Sequence, residues 1–547
     1  MQDRFLYLVE TSIQKNWDMP VYSDYNQPPF YFRDVARKIG KFHIFLQQLG
    51  VKRGDRIGIV GRNSSYWAIA FFGTLSYGAV VVSILHDFKP DTVHHIVNHS
   101  GAKLLLTGDT VWENLDVEQM PELLGLFQLN AVFSEQSIND NHYPKLKLVN
   151  KLFAKKYPRF TSKDVKYHLE SPEELAVINY TSGTTSMSKG VMIPYRSLWS
   201  NVLYARDMLT YIKPGDRFVC MLPMAHMYGL AFEILNAFCK GCHVHFLTRT
   251  PSPQIISEAF ARIKPVLILA VPLILEKIVK NKIFPLLEKP MMRFLLKMPL
   301  VNSGIYSMVR KKMVEAFGGT FGEVVLGGAA LNPEIENFLR KIDFPYTVGY
   351  GMTECGPLIA YTPWQGFKQG SVGRVVDRME LRLDNPNSVG VGELEVRGVN
   401  TMLGYYKNPE ATAAVMLPDG WMKTGDLCEI DDDGFITIKG RCKTMILGAS
   451  GQNIYPEEME AMINNQDYVM ESLVIDKNGK LVAYIVPDWT ALDRINETPA
   501  MVESRMKAMI VELNKSFPAY SQIKDLKLFQ EEFDKTPKRS IRRFLYQ

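Results

Sequence analysis

The sequence predicts an α/β protein with a large N-terminal domain of αβ-layered, mostly parallel sheets, a small β-rich subdomain, and a small α+β C-terminal domain. Three observations support this prediction. Helical segments alternate with short β-branched runs over the first half, strictly alternating strands follow, and a fresh αβ alternation closes the chain. At 547 residues the chain also exceeds what one hydrophobic core usually supports. We therefore expect two or more packed domains.

The first repeated unit is a helix that leads through a charged turn into a buried strand. Residues 32–50 show the helical spacing of apolar residues, and the run IGIV at 57–60 is followed by glycine. The same alternation recurs at 66–84, at 94–108 and twice more before residue 272. Repeated αβ units of this kind predict mostly parallel sheets covered by helices.

The pattern changes between residues 377 and 399, where MELRL and GELEVRG alternate as antiparallel strands do. We predict a β-rich subdomain over about 371–438, with a hairpin turn at 431–434. The N-terminal domain is then expected to span 1–440 and the C-terminal domain 441–547, where the helix pattern YPEEMEAMI opens a new αβ alternation.

Composition and charge disfavour several classes of protein. A formal net charge of +5 with 22% charged residues is far from the strongly basic balance of a nucleic-acid-binding protein, so we expect no nucleic-acid partner. The first residues, MQDRFLYLVETSIQKNW, lack the pattern of a signal peptide, and no run of about 18 uncharged apolar residues follows. Six cysteines in this length do not indicate a disulfide scaffold. We predict a cytoplasmic location.

The segment Cys239–His243 matches the haem-attachment pattern CxxCH, and His245 adds a further possible metal ligand. A structural interpretation competes with this one. The preceding AFEILNAF has helical spacing and the following HVHFL alternates like a strand, so Gly241 is predicted to form the C-terminal turn of a helix.

Small hydroxyl residues, glycines and one lysine crowd the turn from Tyr180 to Gly190, YTSGTTSMSKG, after the apolar strand LAVIN. Small side chains expose backbone N–H groups, hydroxyls donate further hydrogen bonds and lysine adds a point charge, which together suit a polyphosphate. A Ser/Thr-rich surface turn is the alternative. The Walker pattern does not fit, because Lys189 precedes its glycine.

At this point the sequence resembles the AMP-forming adenylating superfamily of acyl-CoA synthetases, luciferases and peptide-synthetase adenylation domains, whose signature is YTSGTTGxPKG. Ser186 and Ser188 replace the glycine and proline of that signature. The resemblance continues in family order over most of the chain, through LPMAHMYG, VPLILEKI, LGGAALNPE, YGMTE, DGWMKTGD and GRCKTMILGASGQNIYPEEME. Within the superfamily the sequence is most similar to long-chain fatty acid-CoA ligases.

The resemblance implies ATP and CoA as co-substrates, Mg²⁺ as cofactor, and a role for each matching residue. The residues implied for phosphate binding are Thr181, Ser182, Gly183, Thr184, Thr185 and Lys189. Those implied for the adenosine are Gly327, Gly328, Ala329, Tyr350, Asp426 and Arg441, with Asp426 accepting from the ribose hydroxyls. Thr353 is expected at the α-phosphate and Glu354 at Mg²⁺.

The resemblance also implies a mobile C-terminal domain. Lys443 occupies the hinge position, where a few backbone torsions let this domain rotate between two half-reactions. Gly451 and Asn453 fall where family members bring this domain against the thiol substrate.

One catalytic position departs from the family pattern. Where the family usually has TxxGKIxR, this chain reads Thr536-Pro-Lys-Arg-Ser-Ile-Arg-Arg543, so Ser540 stands at the lysine position. A neutral hydroxyl cannot neutralise the charge that forms in the first half-reaction. Lys538 is the predicted substitute, and further candidates are Lys535, Arg539 and Arg542.

The resemblance to the acyl-CoA synthetase branch also bears on the acid. His226, in LPMAHMYG, is expected at the acyl and adenylate junction, although a lone histidine in an apolar run is often a core residue. A long segment after VPLILEKI resembles the insertion of long-chain enzymes and indicates a medium- or long-chain fatty acid. Its basic residues suit either peripheral contact with the inner membrane surface or an amphipathic helix packed on its own domain: Arg293, Lys297, Arg310, Lys311 and Lys312.

Two other functions stay open from the sequence. The acyl group could be loaded onto the pantetheine thiol of a carrier protein in place of CoA. The chain could instead be a non-catalytic relative that binds acyl groups or nucleotides, because Ser186, Ser188 and Ser540 all depart from the family pattern. The intact phosphate loop, Glu354, Asp426 and Arg441 argue against that second alternative.

Overall fold

The computed structural model describes residues 4–133, 144–181, 188–248, 253–447, 453–536 and 541–547. Its largest sheet, the central sheet, has seven strands and pairs the parallel αβ units of the N-terminal region with two antiparallel strands at one edge. In spatial order its strands are Gly404–Tyr405, Lys189–Pro194, Leu175–Thr181, Val80–Ile84, Arg56–Val60, Leu104–Thr107 and Gly125–Gln128.

Two further sheets complete the α/β layers. The second sheet is Phe30–Tyr31, Pro20–Asp24, His243–Phe246 and Arg217–Cys220, and the third is the parallel set Ile268–Ala270, Val324–Leu326 and Tyr346–Val348. The helices of this region are Phe5–Lys15, Phe32–Gln48, Ser65–Tyr77, Pro90–Ser100, Asp109–Trp112, Leu129–Phe133, Pro144–Lys156, Tyr195–Met208, Met227–Gly229, Asn236–Cys239, Pro253–Ile263, Pro272–Ile278, Phe284–Leu287, Pro290–Leu295, Pro299–Ala316 and Pro333–Lys341. Short π-helices occupy Leu230–Leu235 and Val279–Ile283.

The helix Ser65–Tyr77 shows why these layers hold together. It is apolar on nearly all sides, and Trp67, Phe71 and Phe72 are fully buried. Burying one such side chain contributes roughly 1.5–3 kcal/mol. Ser64 caps its start by accepting from the Trp67 N–H at 3.2 Å, and Gly78 ends it with a φ of 87°.

The β-rich region contains two small antiparallel sheets. One is Tyr350–Gly351, Leu358–Tyr361 and Arg374–Val375, and the other is Met379–Asp384, Gly392–Gly398, Met422–Ile430 and Ile436–Arg441, with the short helix Pro409–Ala413 beside them. The last strand ends at Arg441, next to the boundary predicted at 440/441, and that boundary stays a prediction.

A smaller α+β unit follows. It contains the ribbon Ile446–Leu447 and Asn453–Ile454, the sheet Val469–Lys477, Lys480–Pro487 and Asp525–Leu528, and the helices Pro456–Asn464, Trp489–Arg494 and Pro499–Leu513. Ile463, Ala483, Ile485 and Val502 lie at the centre of its own hydrophobic core. The predicted fold class, a layered α/β region followed by a small α+β domain, is confirmed.

The segment Cys239–His243 forms the predicted helix turn and strand. The helix Asn236–Cys239 is followed by a turn at Gly241, whose φ is 78°, and His243 begins the strand that follows. Burial raises the pKa of the Cys242 thiol to about 12. The His243 ring lies 2.9 Å from the Ser23 hydroxyl and packs against His245. These groups are therefore part of the folded core.

Among the described residues, no helix has both the length and the apolar character needed to cross a bilayer.

Candidate nucleotide-binding site

The ends of the predicted phosphate loop are held by two antiparallel strands of the central sheet. Thr181 pairs with Lys189, and Tyr180 pairs with Gly190. Ser182, Gly183, Thr184 and Thr185, which were predicted to bind phosphate, lie outside the described residues. The strand pairing fixes where the loop begins and ends, and it brings the half-buried Lys189 to the edge of the sheet beside Gly404–Tyr405.

The predicted adenine-binding turn follows the third-sheet strand Val324–Leu326. Gly327 is buried, and a Cβ added there would lie 3.1 Å from Cζ of Tyr228. Tyr228 is fixed in turn, because its hydroxyl donates to the Val325 carbonyl at 3.0 Å. Gly328, with a φ of 84°, and Ala329 are exposed. Backbone without side chains therefore faces solvent at this point, as a flat base would require.

Three predicted nucleotide residues, Tyr350, Asp426 and Arg441, meet in one hydrogen-bonded group. Asp426 is 5% exposed, accepts from the Tyr350 hydroxyl at 2.5 Å, and lies 3.0 Å from Nε of Arg441. The strand register explains the last contact, since Asp426 and Arg441 are directly opposed. Burial raises the pKa of Asp426, whereas the Arg441 guanidinium and the Tyr350 hydroxyl favour its ionised form. The result is a fixed bidentate acceptor at the position expected for the ribose hydroxyls.

Thr353 and Glu354 lie together on a short 3₁₀ turn, Thr353–Cys355. Thr353 is buried and Glu354 is half-buried. The Glu354 carbonyl accepts from the Met402 N–H at 2.8 Å, and its carboxylate accepts from the Tyr405 hydroxyl at 2.8 Å. Tyr405 was not predicted from the sequence.

The same tyrosine contacts the predicted phosphate lysine. Nζ of Lys189 lies 4.8 Å from the centroid of the Tyr405 ring. The structure therefore brings together Lys189, Tyr405 and Glu354, three side chains from distant parts of the sequence.

The chemistry of these donors fits a magnesium ion. Mg²⁺ prefers hard oxygen ligands and usually takes one or two carboxylates together with phosphate oxygens and water. The Glu354 carboxylate is of that type, and it lies on the same side chain network as the lysine expected at the phosphates. Glu354 is the residue that would hold the ion.

His226 has a structural task in the fold. It caps the helix Met227–Gly229, with Nδ1 accepting from the Tyr228 N–H at 3.3 Å. This contact explains a histidine at the start of that helix, and the expected acyl-binding role stays a proposal. Tyr228 belongs to the motif LPMAHMYG, but no role was predicted for it, and its ring packs against Gly327.

The predicted hinge lies in a hydrogen-bonded turn after the strand Ile436–Arg441. Lys443 is exposed there, and the Thr444 and Met445 N–H groups both donate to the Arg441 carbonyl. Asn453, predicted near the thiol, pairs with Leu447 in a short ribbon. Gly451, Lys538 and Ser540 lie outside the described residues.

The substitute cations predicted near the C-terminus differ in their surroundings. Lys535 forms ion pairs with Glu471 and, at 2.5 Å, with Glu532. Two carboxylates already neutralise this ammonium, so Lys535 is poorly suited to stabilise charge on a substrate. Arg542 is exposed.

Comparison with known proteins identifies the family. The AMP-binding enzyme family matches residues 9–406, and the AMP-binding enzyme C-terminal domain matches residues 443–546. The long-chain-fatty-acid–CoA ligase 1 of Saccharomyces cerevisiae is 25% identical over 92% of this chain and 78% of its own length. A long-chain-fatty-acid–CoA ligase of Salmonella typhimurium is 26% identical over 98% of this chain and 93% of its own length.

Solved structures show the same fold. The ATP-bound MatB of Rhodopseudomonas palustris superposes with a TM-score of 0.76 at 20% identity, covering 98% of this chain and 97% of that one. The predicted resemblance is thus confirmed, and the chain belongs to the AMP-binding enzyme family, that of the adenylate-forming acyl-CoA synthetases and their relatives.

Proposed function

We propose that the chain is an ATP-dependent acid–thiol ligase that converts a medium- or long-chain fatty acid into its acyl-CoA through an acyl-adenylate. The observation that carries this proposal is that Tyr350, Asp426 and Arg441 meet at one point, and that Lys189 and Glu354 both contact Tyr405 at another. These are the groups that a ribose and a metal-bound polyphosphate require. The named fatty-acid ligases among its relatives support the choice of acid.

In the first step a carboxylate oxygen of the acid attacks the α-phosphorus of ATP. A bond forms between that oxygen and phosphorus, and the bond from phosphorus to the pyrophosphate oxygen breaks. The acid is already ionised, so no general base is needed, and the protein positions the reactants and neutralises charge. Lys189 faces the β- and γ-phosphates, Thr353 the α-phosphate, and Asp426 the ribose. Glu354 would hold a Mg²⁺ ion, which would supply positive charge to the phosphates.

In the second step a thiol sulfur attacks the carbonyl carbon of the acyl-adenylate. A carbon–sulfur bond forms, AMP leaves with the electron pair of the carbon–oxygen bond, and the thiol proton passes to solvent. The reference pKa of a thiol is about 8.5, so only modest assistance is required. The C-terminal domain supplies Gly451 and Asn453 to this step after rotation at Lys443.

The missing lysine at position 540 favours one alternative, a non-catalytic binder of acyl groups or nucleotides. For the active enzyme we propose Lys538 as the cation that stabilises the first step, because Lys535 is neutralised by Glu471 and Glu532. A ligase that loads a carrier-protein thiol keeps the first step and changes only the acceptor.

A turnover assay separates these functions. The purified chain is given ATP, Mg²⁺, CoA and acids from acetate to palmitate, and AMP, pyrophosphate and thioester are measured beside Lys538→Ala, Ser540→Lys and Ser540→Ala. We expect equal amounts of AMP and thioester, most with the longer acids, and a loss on the order of 100-fold in Lys538→Ala but not in Ser540→Ala. Turnover only in Ser540→Lys would identify the natural chain as a binder. Acyl transfer to a carrier protein but not to CoA would identify the other ligase.

We also propose that this enzyme meets its apolar substrate at an anionic membrane surface. Residues 277–298 carry six Lys and Arg against one Glu. Within them, the helices Phe284–Leu287 and Pro290–Leu295 have no buried residue. Leu286, Met291, Phe294 and Met298 are 55%, 72%, 66% and 43% exposed, and we call these four the apolar patch.

The surroundings of the apolar patch support a lipid surface as its partner. Exposed Lys289, Arg293 and Lys297 are interleaved with it, and basic residues beside apolar ones favour anionic headgroups. The longer helix Pro299–Ala316 is different, since Met313 is buried in the core and Arg310 pairs with Asp343 at 2.7 Å. The expectation of a helix packed on its own domain therefore fits this helix, and the membrane proposal is confined to the preceding segment.

Vesicle sedimentation tests the membrane proposal. The double variant Met291→Ser with Phe294→Ser should bind vesicles of phosphatidylglycerol and phosphatidylcholine about tenfold more weakly than the natural chain. Met501→Ser with Val511→Ser, which changes two exposed apolar residues of the C-terminal domain, serves as the matched control. Equal binding by all three proteins would contradict the proposal.

A further inference from the structure

Tyr405 lies where the two predicted halves of the phosphate site come together. It is 7% exposed and forms the edge strand Gly404–Tyr405 of the central sheet. Its hydroxyl donates to Oε1 of Glu354 at 2.8 Å, and its ring lies 4.8 Å from Nζ of Lys189. One side chain thus contacts both the carboxylate expected to bind the metal ion and the ammonium expected to bind the phosphates.

The strand register explains the contact with the lysine. Tyr405 is directly opposite Val191 on the neighbouring antiparallel strand. Lys189 is two residues from Val191, so its side chain lies on the same face of the ladder as that of Tyr405. A tyrosine at this position is therefore a diagonal neighbour of the lysine.

Backbone contacts hold the tyrosine in place from both sides. The Tyr406 N–H donates to the Gly190 carbonyl and the Met402 N–H to the Glu354 carbonyl, each at 2.8 Å. The Tyr405 N–H donates to the Thr412 hydroxyl at 2.9 Å. Gly404 has a φ of 134°, and an added Cβ would meet Cγ2 of Thr412 at 2.8 Å. The backbone of Tyr405 is therefore held in place, which fixes the point from which its side chain extends.

We propose that Tyr405 is a positioning residue that sets the spacing between the Glu354 carboxylate and the Lys189 ammonium, and so presets the site for a metal-bound polyphosphate. This inference rests on the proposed function. The hydroxyl donates a hydrogen bond to one carboxylate oxygen and so restricts rotation of the Glu354 side chain. The ring face attracts the ammonium and limits its movement. A carboxylate partner would also neutralise the positive charge, whereas the ring leaves it available to phosphate.

The two contacts predict different effects for two substitutions. Tyr405→Phe removes the hydroxyl and keeps the ring, so only the carboxylate loses its partner. Tyr405→Leu removes both contacts. Tyr406→Phe, which removes the hydroxyl of the neighbouring tyrosine packed against His99, is the matched control.

The experiment measures binding of α,β-methylene-ATP by calorimetry, first with EDTA and then over a range of Mg²⁺ concentrations. For Tyr405→Phe we expect the half-saturating Mg²⁺ concentration to rise about tenfold while metal-free binding stays unchanged. For Tyr405→Leu we expect the same rise and, in addition, a roughly threefold loss of metal-free binding. Tyr406→Phe should match the natural chain in both measurements, and thermal unfolding checks that all variants are folded.

The outcomes are distinguishable. If the natural chain binds Mg²⁺ and nucleotide, and Tyr405→Phe has the same half-saturating Mg²⁺ concentration as the natural chain, the assignment of Tyr405 is overturned. If Tyr405→Phe and Tyr406→Phe shift equally, the effect is general to the segment and the assignment is also overturned. If the natural chain binds no nucleotide with or without Mg²⁺, the proposed function itself is contradicted.

Discussion

At the scale of single residues, burial raises the pKa of two carboxyl groups, Asp426 and Glu233, that have different partners. Asp426 has the Arg441 guanidinium and the Tyr350 hydroxyl beside it, and both oppose the rise in its pKa that burial causes. Glu233 is 1% exposed and accepts from the Leu222 N–H at 3.2 Å. Burial raises the pKa of Glu233 to about 8, so this carboxyl is largely protonated at neutral pH.

The raised pKa of Glu233 predicts a dependence of stability on pH. The folded chain keeps a proton that the unfolded chain releases above its ordinary pKa of 4.5, so the contribution of Glu233 to stability decreases as pH rises from 4.5 to about 8. Gln is neutral at every pH and has the same shape. Relative to the natural chain, Glu233→Gln should therefore gain about 3 kcal/mol in free energy of unfolding between pH 5 and pH 8.

Chemical denaturation of both proteins at several pH values measures this difference. Glu258→Gln, at an exposed helix position, is the control and should show no such trend. A difference between Glu233→Gln and the natural chain that is the same at pH 5 and pH 8 would contradict the assignment.

At the scale of elements, the site is built where strands end and turns begin. The turn after Val324–Leu326 carries Gly327 against the Tyr228 ring, and the turn after Tyr350–Gly351 carries Thr353 and Glu354. The strands fix the positions of both turns, which carry the residues predicted to bind the nucleotide.

Gly327→Val should disturb the nucleotide turn without unfolding the sheet. The first added carbon would already lie 3.1 Å from Cζ of Tyr228, and the two further methyl groups require the ring or the turn to move. We expect ATP affinity, measured by calorimetry, to fall about tenfold or more, because the adenine surface shifts. Gly304→Val, where nothing lies within 4 Å of the added carbon, is the control. Unchanged affinity in Gly327→Val would place the adenine elsewhere.

Local patterns predicted much of this arrangement. Alternation and turn residues identified the layered α/β region, the antiparallel strands and the helix turn at Gly241, because each depends on neighbours in sequence. Motif order predicted Glu354 and Asp426 as residues of the nucleotide site. The contact between Tyr405 and Glu354, 51 residues apart, depends on which strand adds to the sheet edge. No local pattern contains that information, and the same holds for Tyr228 over Gly327.

At the scale of the whole molecule, the C-terminal unit contacts the N-terminal unit at both ends of the helix Pro456–Asn464. At its start, a Cβ added to Gly440 would lie 3.1 Å from Oε2 of Glu457, and at its end the contacts are hydrogen bonds. Nζ of Lys280 donates to the Asn464 carbonyl at 3.3 Å, and the side chains of Asn332 and Asn465 form a hydrogen bond. These are polar contacts between the end of one helix of the C-terminal unit and the surface of the N-terminal unit. We predict that the C-terminal unit rotates at Lys443, and polar contacts of this kind would permit that rotation.

Restricting the hinge should separate the two half-reactions. Proline at position 443 fixes φ near −65° and limits the torsions available for rotation, whereas alanine leaves the backbone free. Acid-dependent pyrophosphate exchange measures the first half-reaction, and thioester formation from supplied acyl-adenylate measures the second. For Lys443→Pro we expect both rates to fall, with one loss greater than the other by a factor on the order of ten. Lys443→Ala should change both rates by equal factors. Equal losses in Lys443→Pro would contradict the assignment of the hinge.

The most direct test of the central claim follows an oxygen atom. The chain is incubated with ATP, Mg²⁺, CoA and palmitate labelled with ¹⁸O in both carboxylate oxygens, and the products are analysed by mass spectrometry. Attack of the carboxylate on the α-phosphorus predicts one ¹⁸O in each AMP, with the other retained in the thioester. Unlabelled AMP, or label in orthophosphate or pyrophosphate, would contradict activation through an acyl-adenylate.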